Sequence, residues 1–414
     1  MLSREENELL TRTGPGTPMG RLIRRYWLPA LFSHQVPMPD SDPVRVRLLG
    51  EPLVAFRATD GRIGLIAEHC PHRTASLFFA RNEECGLRCV YHGWKFDLDG
   101  NCVDMPSEPP ESNFKHKVRI AAYPCRERGG VVWTYMGPPD LMPDFPWLEW
   151  AEVPETHRFV TRHLQECNWL QAFEGGFDTS HLTFLHRGGA SAPDGRAMTL
   201  PTHYDVVPTD FGFVAGTGRA AEEGATYWTA NVMLAPFHKL IATSPIGAHV
   251  WVPMDDETTI NYCIEYLPDR PLRDSDLATS TTWHNIHAEL LPGSDRAVLN
   301  RDNNYGVDRA LQRSGNSYSG IKGIGMQDCA LQESMGPVAD RTSEHLGVSD
   351  TIIIKLRRFL LSAVRDHEAG ATPPGLDPAS HRVRSARFTT PRGTAFAEVA
   401  NEHVKIIAKT LSGD

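Results

Sequence analysis

Residues 70–92 read Cys70-Pro71-His72-Arg73-Thr74-Ala75-Ser76-Leu77-Phe78-Phe79-Ala80-Arg81-Asn82-Glu83-Glu84-Cys85-Gly86-Leu87-Arg88-Cys89-Val90-Tyr91-His92. Inside this stretch lies Cys70-x-His72, then sixteen residues, then Cys89-x2-His92. Two thiols and two imidazoles arriving as two short loops form a metal-site pattern. The same four ligand types hold structural zinc tetrahedrally. Zinc fingers, however, keep the cysteines in one knuckle and the histidines in the other. Here each loop gives one of each, and the first pair has a one-residue gap.

Mixed loops suit a Rieske-type [2Fe-2S] cluster, in which two Cys hold one iron and two His the other. Pro71 in the first loop and Gly93-Trp94 after the second make the pattern specific. Zinc stays as the alternative. Working outward, Val44, Val46, Leu48, Leu53 and Ala55 alternate with period two, as strands do. Asp60-Gly61 and Asp99-Gly100 read as hairpin turns, and Ile63–Ile66, Trp94–Phe96 and Val131–Tyr135 as strands. The loops therefore belong to hairpin tips of an all-β domain over 40–137. Residues 138–150, rich in Pro and Trp, read as a connector and 151–414 as a second domain. Residues 1–39 read as a helical segment packing on that second domain, opened by the Ser3-x-x-Glu6 capping box. Gly14–Pro18 reads as its break, with a second short helix over Leu22–Trp27.

At 414 residues, with 41% hydrophobic and 22% charged, the chain has room for two or three ordinary globular domains. A formal net charge of −9 without a basic run argues against nucleic acid as a partner. No apolar run reaches the ~20 residues that span a bilayer, and the acidic start is unlike a signal peptide. The expectation is a cytoplasmic protein whose eight cysteines stay reduced.

The second informative stretch is Asn168–His186, N-W-L-Q-A-F-E-G-G-F-D-T-S-H-L-T-F-L-H. It starts as a helix and reads as interrupted at Gly175-Gly176. His181 and His186 would lie roughly 140° apart on a straight helix, so a bend after His181 is needed for them to converge. Beside a cluster domain, two His and Asp178 within nine residues point to a second metal. The plainer reading makes them core histidines, with Asp178 a helix cap.

Together these motifs resemble the oxygenase (alpha) component of the Rieske non-haem iron aromatic ring-hydroxylating oxygenases, in the phthalate 4,5-dioxygenase branch. The likeness runs from R-T-G-P-G-T-P-M-G near the start to D-R-T-S-E-H-L-G-V-S-D at 340–350. It implies an α+β protein: an all-β Rieske domain (Cys70, His72, Cys89, His92) and a catalytic domain of antiparallel sheet and helices. It implies that His181, His186 and Asp328, the last from Q-D-x4-E-x2-G, hold a mononuclear iron; Glu333 and Asp340 are the rival carboxylates. It implies that Asp178 links His181 to His92 of another subunit, hence a cyclic homotrimer or a multiple of it. Electrons would come from NAD(P)H through a separate flavin and iron–sulfur reductase, with O2 as co-substrate. The reaction would be ring dihydroxylation of an aromatic acid, or O-demethylation of a methoxy-aromatic by the same metals. An electron-transfer Rieske protein and a zinc-stabilised binding protein are the distant alternatives.

Residues 203–262 read as the sheet, with helices at Leu277–Leu291, Gln327–Met335, Thr351–Arg365 and Thr394–Lys409. Phe177, Phe184, Val232, Phe237 and Ile246 are candidates for the substrate pocket, each also readable as plain core. An acid substrate calls for a cation. Arg187, Arg196, Arg219 and Lys239 are available. Arg187 directly follows a candidate ligand, and Arg219 and the pair His238-Lys239 could anchor an acid, with a surface position the ordinary reading of each.

Overall fold

The computed structural model describes residues 1–187, 199–283 and 286–406. The chain divides into two compact units, Thr13–Pro143 and Met1–Arg12 with Asp144–Asp414. Helix α1 (Arg4–Thr11) belongs to the second unit, and its Ser3/Glu6 capping box is formed in both directions. Residues 13–39, expected alongside it, fall in the first unit instead. The expected helix at 22–27 also moves. Thr17 caps α2 (Pro18–Ile23) by accepting from the Gly20 N–H at 3.1 Å, with Pro18 at the first helical position. Gly14–Pro18 thus starts a helix as well as ending one, and the following residues are a strand.

That strand is β1 (Trp27–Phe32). After it come β2 (Val44–Leu48), β3 (Glu51–Arg57), β4 (Ile63–Ala67), β5 (Arg81–Glu83) and β6 (Gly86–Arg88). Then follow β7 (Lys95–Asp97), β8 (Cys102–Asp104), β9 (Ala122–Tyr123), β10 (Cys125–Arg128) and β11 (Val131–Tyr135). They make three antiparallel sheets ordered β1-β11-β10, β2-β3-β4-β9 and β5-β6-β7-β8. Pairing of β1 with β11 is what holds residues 13–39 in this unit. Gly61 and Gly100 turn the β3-β4 and β7-β8 hairpins at φ +87° and +82°, which L side chains rarely adopt. Val54, Phe56, Ile66, Leu77, Leu87, Trp94 and Phe96 form the core, and Cys70 and Cys89 are packed within it.

The second unit is built on β12 (Arg158–Gln165), β13 (His203–Thr209), β14 (Gly212–Ala220), β15 (Thr226–Leu234), β16 (His238–Ile241), β17 (Ile246–Pro253), β18 (Thr259–Tyr266) and β19 (Ala386–Thr390). The antiparallel order is β12-β18-β17-β16-β15-β14-β13, and β19 pairs with the first half of β15. Four helices matter for the site: α3 (Trp169–Phe177), α4 (Ile324–Ser334), α5 (Thr351–Glu368) and α6 (Phe396–Val404). Asn168 caps α3, its Oδ1 accepting from the Leu170 N–H at 3.0 Å. Trp169, Phe173 and Phe177 bury one face of α3, with Phe173 5.6 Å from Trp251 and Phe177 5.4 Å from Phe213. Each such aromatic contributes roughly 1.5–3 kcal/mol by leaving water.

Gly175-Gly176 does not interrupt α3, which runs to Phe177. The glycines allow close packing instead. A Cβ on Gly176 would lie 2.4 Å from the Trp251 ring, and one on Gly175 2.1 Å from the Gln332 amide. The helix expected at 277–291 is a short piece, Asp274–Ala278, followed by a wide turn, Thr279–Trp283. Thr281 and Thr282 donate back to the carbonyls of Leu277 and Ala278, which competes with regular helix. Helices α4, α5 and α6 stand where they were expected, with shifted ends; residues 407–414 lie outside the described ones.

Candidate metal centres

The two loops after β4 and β6 repeat one turn. In each, the Cys carbonyl accepts the N–H four residues on: Thr74 to Cys70 and Gly93 to Cys89, both 2.9 Å. Thr74 and Gly93 both have positive φ. At Gly93 a Cβ would also stand 2.5 Å from Pro106. Cys70 and Cys89 are buried, while His72 and His92 are half-buried. The imidazole rings lie 4.3 Å apart, and His72 stacks on Trp94 at 4.5 Å. The thiols thus sit in the core and the imidazole side chains nearer the surface.

This arrangement fits a two-iron cluster. The His72 Nδ1 is buried without a hydrogen-bond partner, a costly state unless something binds it. Burial, reinforced by the neighbouring Cys89, pushes the Cys70 thiol up to about 11, so a metal is needed to hold it as thiolate. Tetrahedral zinc would gather all four donors within about 4 Å of one another, given its 2.0–2.3 Å bonds. Among the described residues, three donors come within 4.8 Å of one another at His181, His186 and Asp328, and not at these loops. A cluster with an iron for each ligand pair does not require that closeness.

The second centre is assembled from the end of α3 and from α4. Helix α3 stops at Phe177, so the bend falls before His181 rather than after it. Asp178 ends the helix, its N–H donating to Glu174, and Oδ1 accepts from the Ser180 N–H at 2.8 Å. A single 3-10 turn, His181–Thr183, then carries the chain to His186. The Nε2 atoms of His181 and His186 are 3.1 Å apart, and each is 3.4 Å from Asp328 Oδ1. Two imidazoles and one carboxylate brought this close are the ligand set of a 2-His-1-carboxylate iron site.

Second partners orient both imidazoles. Asp178 Oδ2 lies 3.2 Å from His181 Nδ1, and Gln327 Oε1 2.6 Å from His186 Nδ1. With Nδ1 engaged, Nε2 is left for a metal. Gln327 is itself held by donating to the Ile321 carbonyl at 2.8 Å. Burial opposes charge on both rings. At His181 burial is the largest single influence, but the hydrogen bond to Asp178 and the charges of Asp328 and Asp178 together outweigh it and the pKa is raised; at His186 burial prevails and the pKa is lowered.

The rival carboxylates are elsewhere. Glu333 is buried and accepts from the Tyr305 hydroxyl at 2.5 Å. Asp340 is exposed and caps a turn by accepting from Thr342.

Two family models match: a Rieske [2Fe-2S] domain over residues 26–124 and a "LigXa C-terminal domain like" domain over 134–393. The oxygenase subunit of 3-chlorobenzoate-3,4-dioxygenase from Comamonas testosteroni is 40% identical over 97% of this chain and 98% of its own. The oxygenase subunit of phthalate 4,5-dioxygenase from Pseudomonas putida is 40% identical over 91% and 89%. The chain belongs to the Rieske oxygenases, as an oxygenase (alpha) component. Among solved structures, Pseudomonas putida NdmA with theobromine bound shares the fold at TM-score 0.60 and 20% identity, over 84% of this chain and 92% of its own. The terminal oxygenase of carbazole 1,9a-dioxygenase from Nocardioides aromaticivorans does so at 0.56 and 20%, over 87% and 97%.

A Rieske oxygenase carries a [2Fe-2S] cluster and a non-haem iron, uses O2, and receives NAD(P)H electrons through a separate reductase. No helix among the described residues is long and apolar enough to cross a membrane. All eight cysteines are free. In this oxygenase the pocket candidates divide by sheet register. Met233 pairs with Lys239, and Lys239 with His249, so these three share one face. Phe173 and Gly176 of α3 meet that face at Trp251, two residues beyond His249. Val232 and Ile246 have the opposite phase and point away from α3. Phe177 lies at the site, with the Lys239 ammonium 5.6 Å from its ring. Phe184 is exposed and packs against Tyr318; Phe237 is fully buried.

The cations divide too. Arg187 is exposed over Phe184 and Tyr318, Arg219 is buried and donates to the Thr199 carbonyl, and Arg196 is outside the described residues. Lys239 is not at the surface as expected. It donates to the Gly176 carbonyl in the last turn of α3, and burial pulls its pKa down to about 8 against the attraction of Asp328 and Asp178. No local signal in the sequence could have found it, because its face is fixed by the pairing of Met233 with Lys239.

Proposed function

We propose that this Rieske oxygenase dihydroxylates the ring of an aromatic acid. In this reading Cys70 and Cys89 hold one iron of the cluster, His72 and His92 the other, and His181, His186 and Asp328 hold the mononuclear iron. The observation that carries it is the meeting of those last three side chains within 4.8 Å at the end of α3. When bound, the two metal groups supply electron storage and O2 activation. The chain's own residues do the rest. Asp178 and Gln327 fix the two imidazoles with Nε2 toward the metal. Phe173, Phe177 and Trp251 keep water from the sheet side. In the balance, both oxygen atoms enter the ring, two electrons come from NAD(P)H and two protons complete the hydroxyls.

The choice of an aromatic acid rests on the two relatives at 40% identity, both named for carboxylated rings. Their names place the attacked bond at carbons meta and para to a carboxylate. O-demethylation is the second reading. It is favoured by the 5,5'-dehydrodivanillate O-demethylase oxygenase subunit of Sphingobium, 32% identical over 92% of this chain. Asp178 keeps 31% of its side chain exposed after bonding His181, leaving capacity to accept from His92 of the partner subunit in a cyclic trimer.

The test is turnover with NADH, a ferredoxin-type reductase and a panel of benzoates, phthalates and methoxy-arenes. A cis-diol from an acid supports the reading. Formaldehyde from methoxy-arenes, with acids untouched, replaces it with demethylation. His181→Ala is expected to lose the mononuclear iron and keep the cluster's visible bands; unchanged iron content refutes the ligand assignment. Asp178→Asn is expected to keep both metals and slow single-turnover electron transfer, and a normal rate removes the bridge.

A further inference from the structure

An ammonium has three hydrogens to donate. That of Lys239 meets one acceptor, the Gly176 carbonyl, and among the described residues it pairs with no carboxylate. A charge kept among protein atoms without a counter-ion is costly. Here it persists on the sheet face that meets α3, beside the Phe177 ring, in register with Met233 and His249. Asp178 and Asp328 are near enough to act on it electrostatically without bonding it. One cation that gives a single hydrogen bond to protein among the described residues, beside an aromatic ring and within electrostatic reach of Asp328, offers a contact for one end of a flat anion.

We propose that Lys239 anchors the substrate carboxylate and thereby selects which ring carbons are oxygenated. This rests on the aromatic-acid reading above. Gly176, which Lys239 grips, lies two residues before Asp178 and five before His181. A benzoate held there keeps its ortho carbons beside Lys239 and turns its far edge, the meta and para carbons, toward His181, His186 and Asp328. A neutral ring lacks the handle and settles in several orientations.

Lys239 also closes the last turn of α3, so the test must separate anchoring from capping. Full-length enzyme carrying both metals is assayed with reductase and NADH on 3-chlorobenzoate and on its methyl ester. Lys239→Met is expected to raise KM for the acid about 10- to 100-fold, the scale of a lost charge-assisted bond. KM for the ester is expected to move little, and the acid is expected to give scattered regiochemistry and wasted O2. Lys239→Arg is expected to restore most of the acid's KM. Cluster absorbance and iron content stay constant. If Lys239→Met does not fold, Lys239→Gln, which can still donate to Gly176, carries the same comparison. An unchanged KM for the acid, or equal losses for acid and ester with a lower Tm, overturns the anchor and leaves the aromatic-acid reading standing. Wild-type enzyme that ignores every acid while oxidising neutral rings defeats both.

Discussion

The two sets of candidate metal ligands are brought together in opposite ways. The cluster loops lie within 23 consecutive residues, each closed by its own turn of backbone hydrogen bonds. The second centre joins α3 to α4, and the contact between His186 and Gln327 spans 141 residues. Local loops can be shaped by their own turns. A distant pair must be held by everything that packs the two helices, because the entropy of closing so long a segment opposes the contact. The first centre should therefore fail through its ligands, and the second through its ligands and through its supports.

Ligand loss has the largest effect and tests the independence of the centres. Cys89→Ser is expected to abolish the visible absorption of the cluster and all NADH-driven turnover, while iron still binds at His181, His186 and Asp328. Asp328→Ala is expected to do the reverse: full cluster absorbance, no bound mononuclear iron and no product. If either variant strips both metals, the two sites are not separately built. If Glu333→Ala rather than Asp328→Ala removes the iron, the third ligand is misassigned.

Next come the supports. Glu174, in the last turn but one of α3, is buried and bonded to both Arg341 and Arg357, the latter also held by Glu344. Burial alone would raise its pKa, but the two guanidiniums outweigh it and the carboxylate stays ionised. Glu174→Gln leaves two buried cations short of a partner and is expected to cost about 3–5 kcal/mol. Thermal melting with separate probes checks it: protein fluorescence and iron content are expected to fall at lower temperature, while the cluster bands persist longer. Coincident loss of all three signals would erase the contrast between the sites.

How much was readable from sequence follows the same division. Cys70, His72, Cys89 and His92 stand close together, and the hairpin turns around them carry their own glycines, so one stretch declared the domain. His181 and His186 were visible for the same reason. The carboxylate was not; Asp328 stood out from Glu333 and Asp340 only through family resemblance, since nothing local distinguishes three acids downstream. Gly175-Gly176 looked like a helix break because close packing against Trp251 and Gln332 is a tertiary fact. Residues 13–39 were misassigned because the partner of β1 lies about a hundred residues on. Lys239 was set aside because a lone lysine in a strand ordinarily faces water. Its true face depends on the phase in which β16 leaves β15, fixed only by the pairing of Met233 with Lys239.

Smaller effects sharpen the comparison at single hydrogen bonds. Gln327→Leu removes the acceptor of the His186 Nδ1–H and is expected to weaken mononuclear iron binding 10- to 100-fold, as loss of such partners does at about that scale. Competition with a chelator reads this directly, and the cluster spectrum serves as an internal control. Gln327→Glu keeps an acceptor and is expected to hold iron. Unchanged iron affinity in Gln327→Leu would mean the imidazole is oriented by packing alone.

The smallest expected effect is in pH. With its pKa pulled down to about 8, Lys239 is charged below that value and neutral above it. The KM for an acid substrate is therefore expected to be flat at neutral pH and to rise several-fold toward pH 9, while that of a neutral ester stays level. Lys239→Arg should abolish the rise, because a guanidinium stays protonated throughout. Neither ring of the cluster pair would give that signature, since it requires wild-type enzyme to favour the acid only while the ammonium is charged. A rise shared by acid and ester would assign the titration to another step and leave Lys239 without a measurable part in recognition.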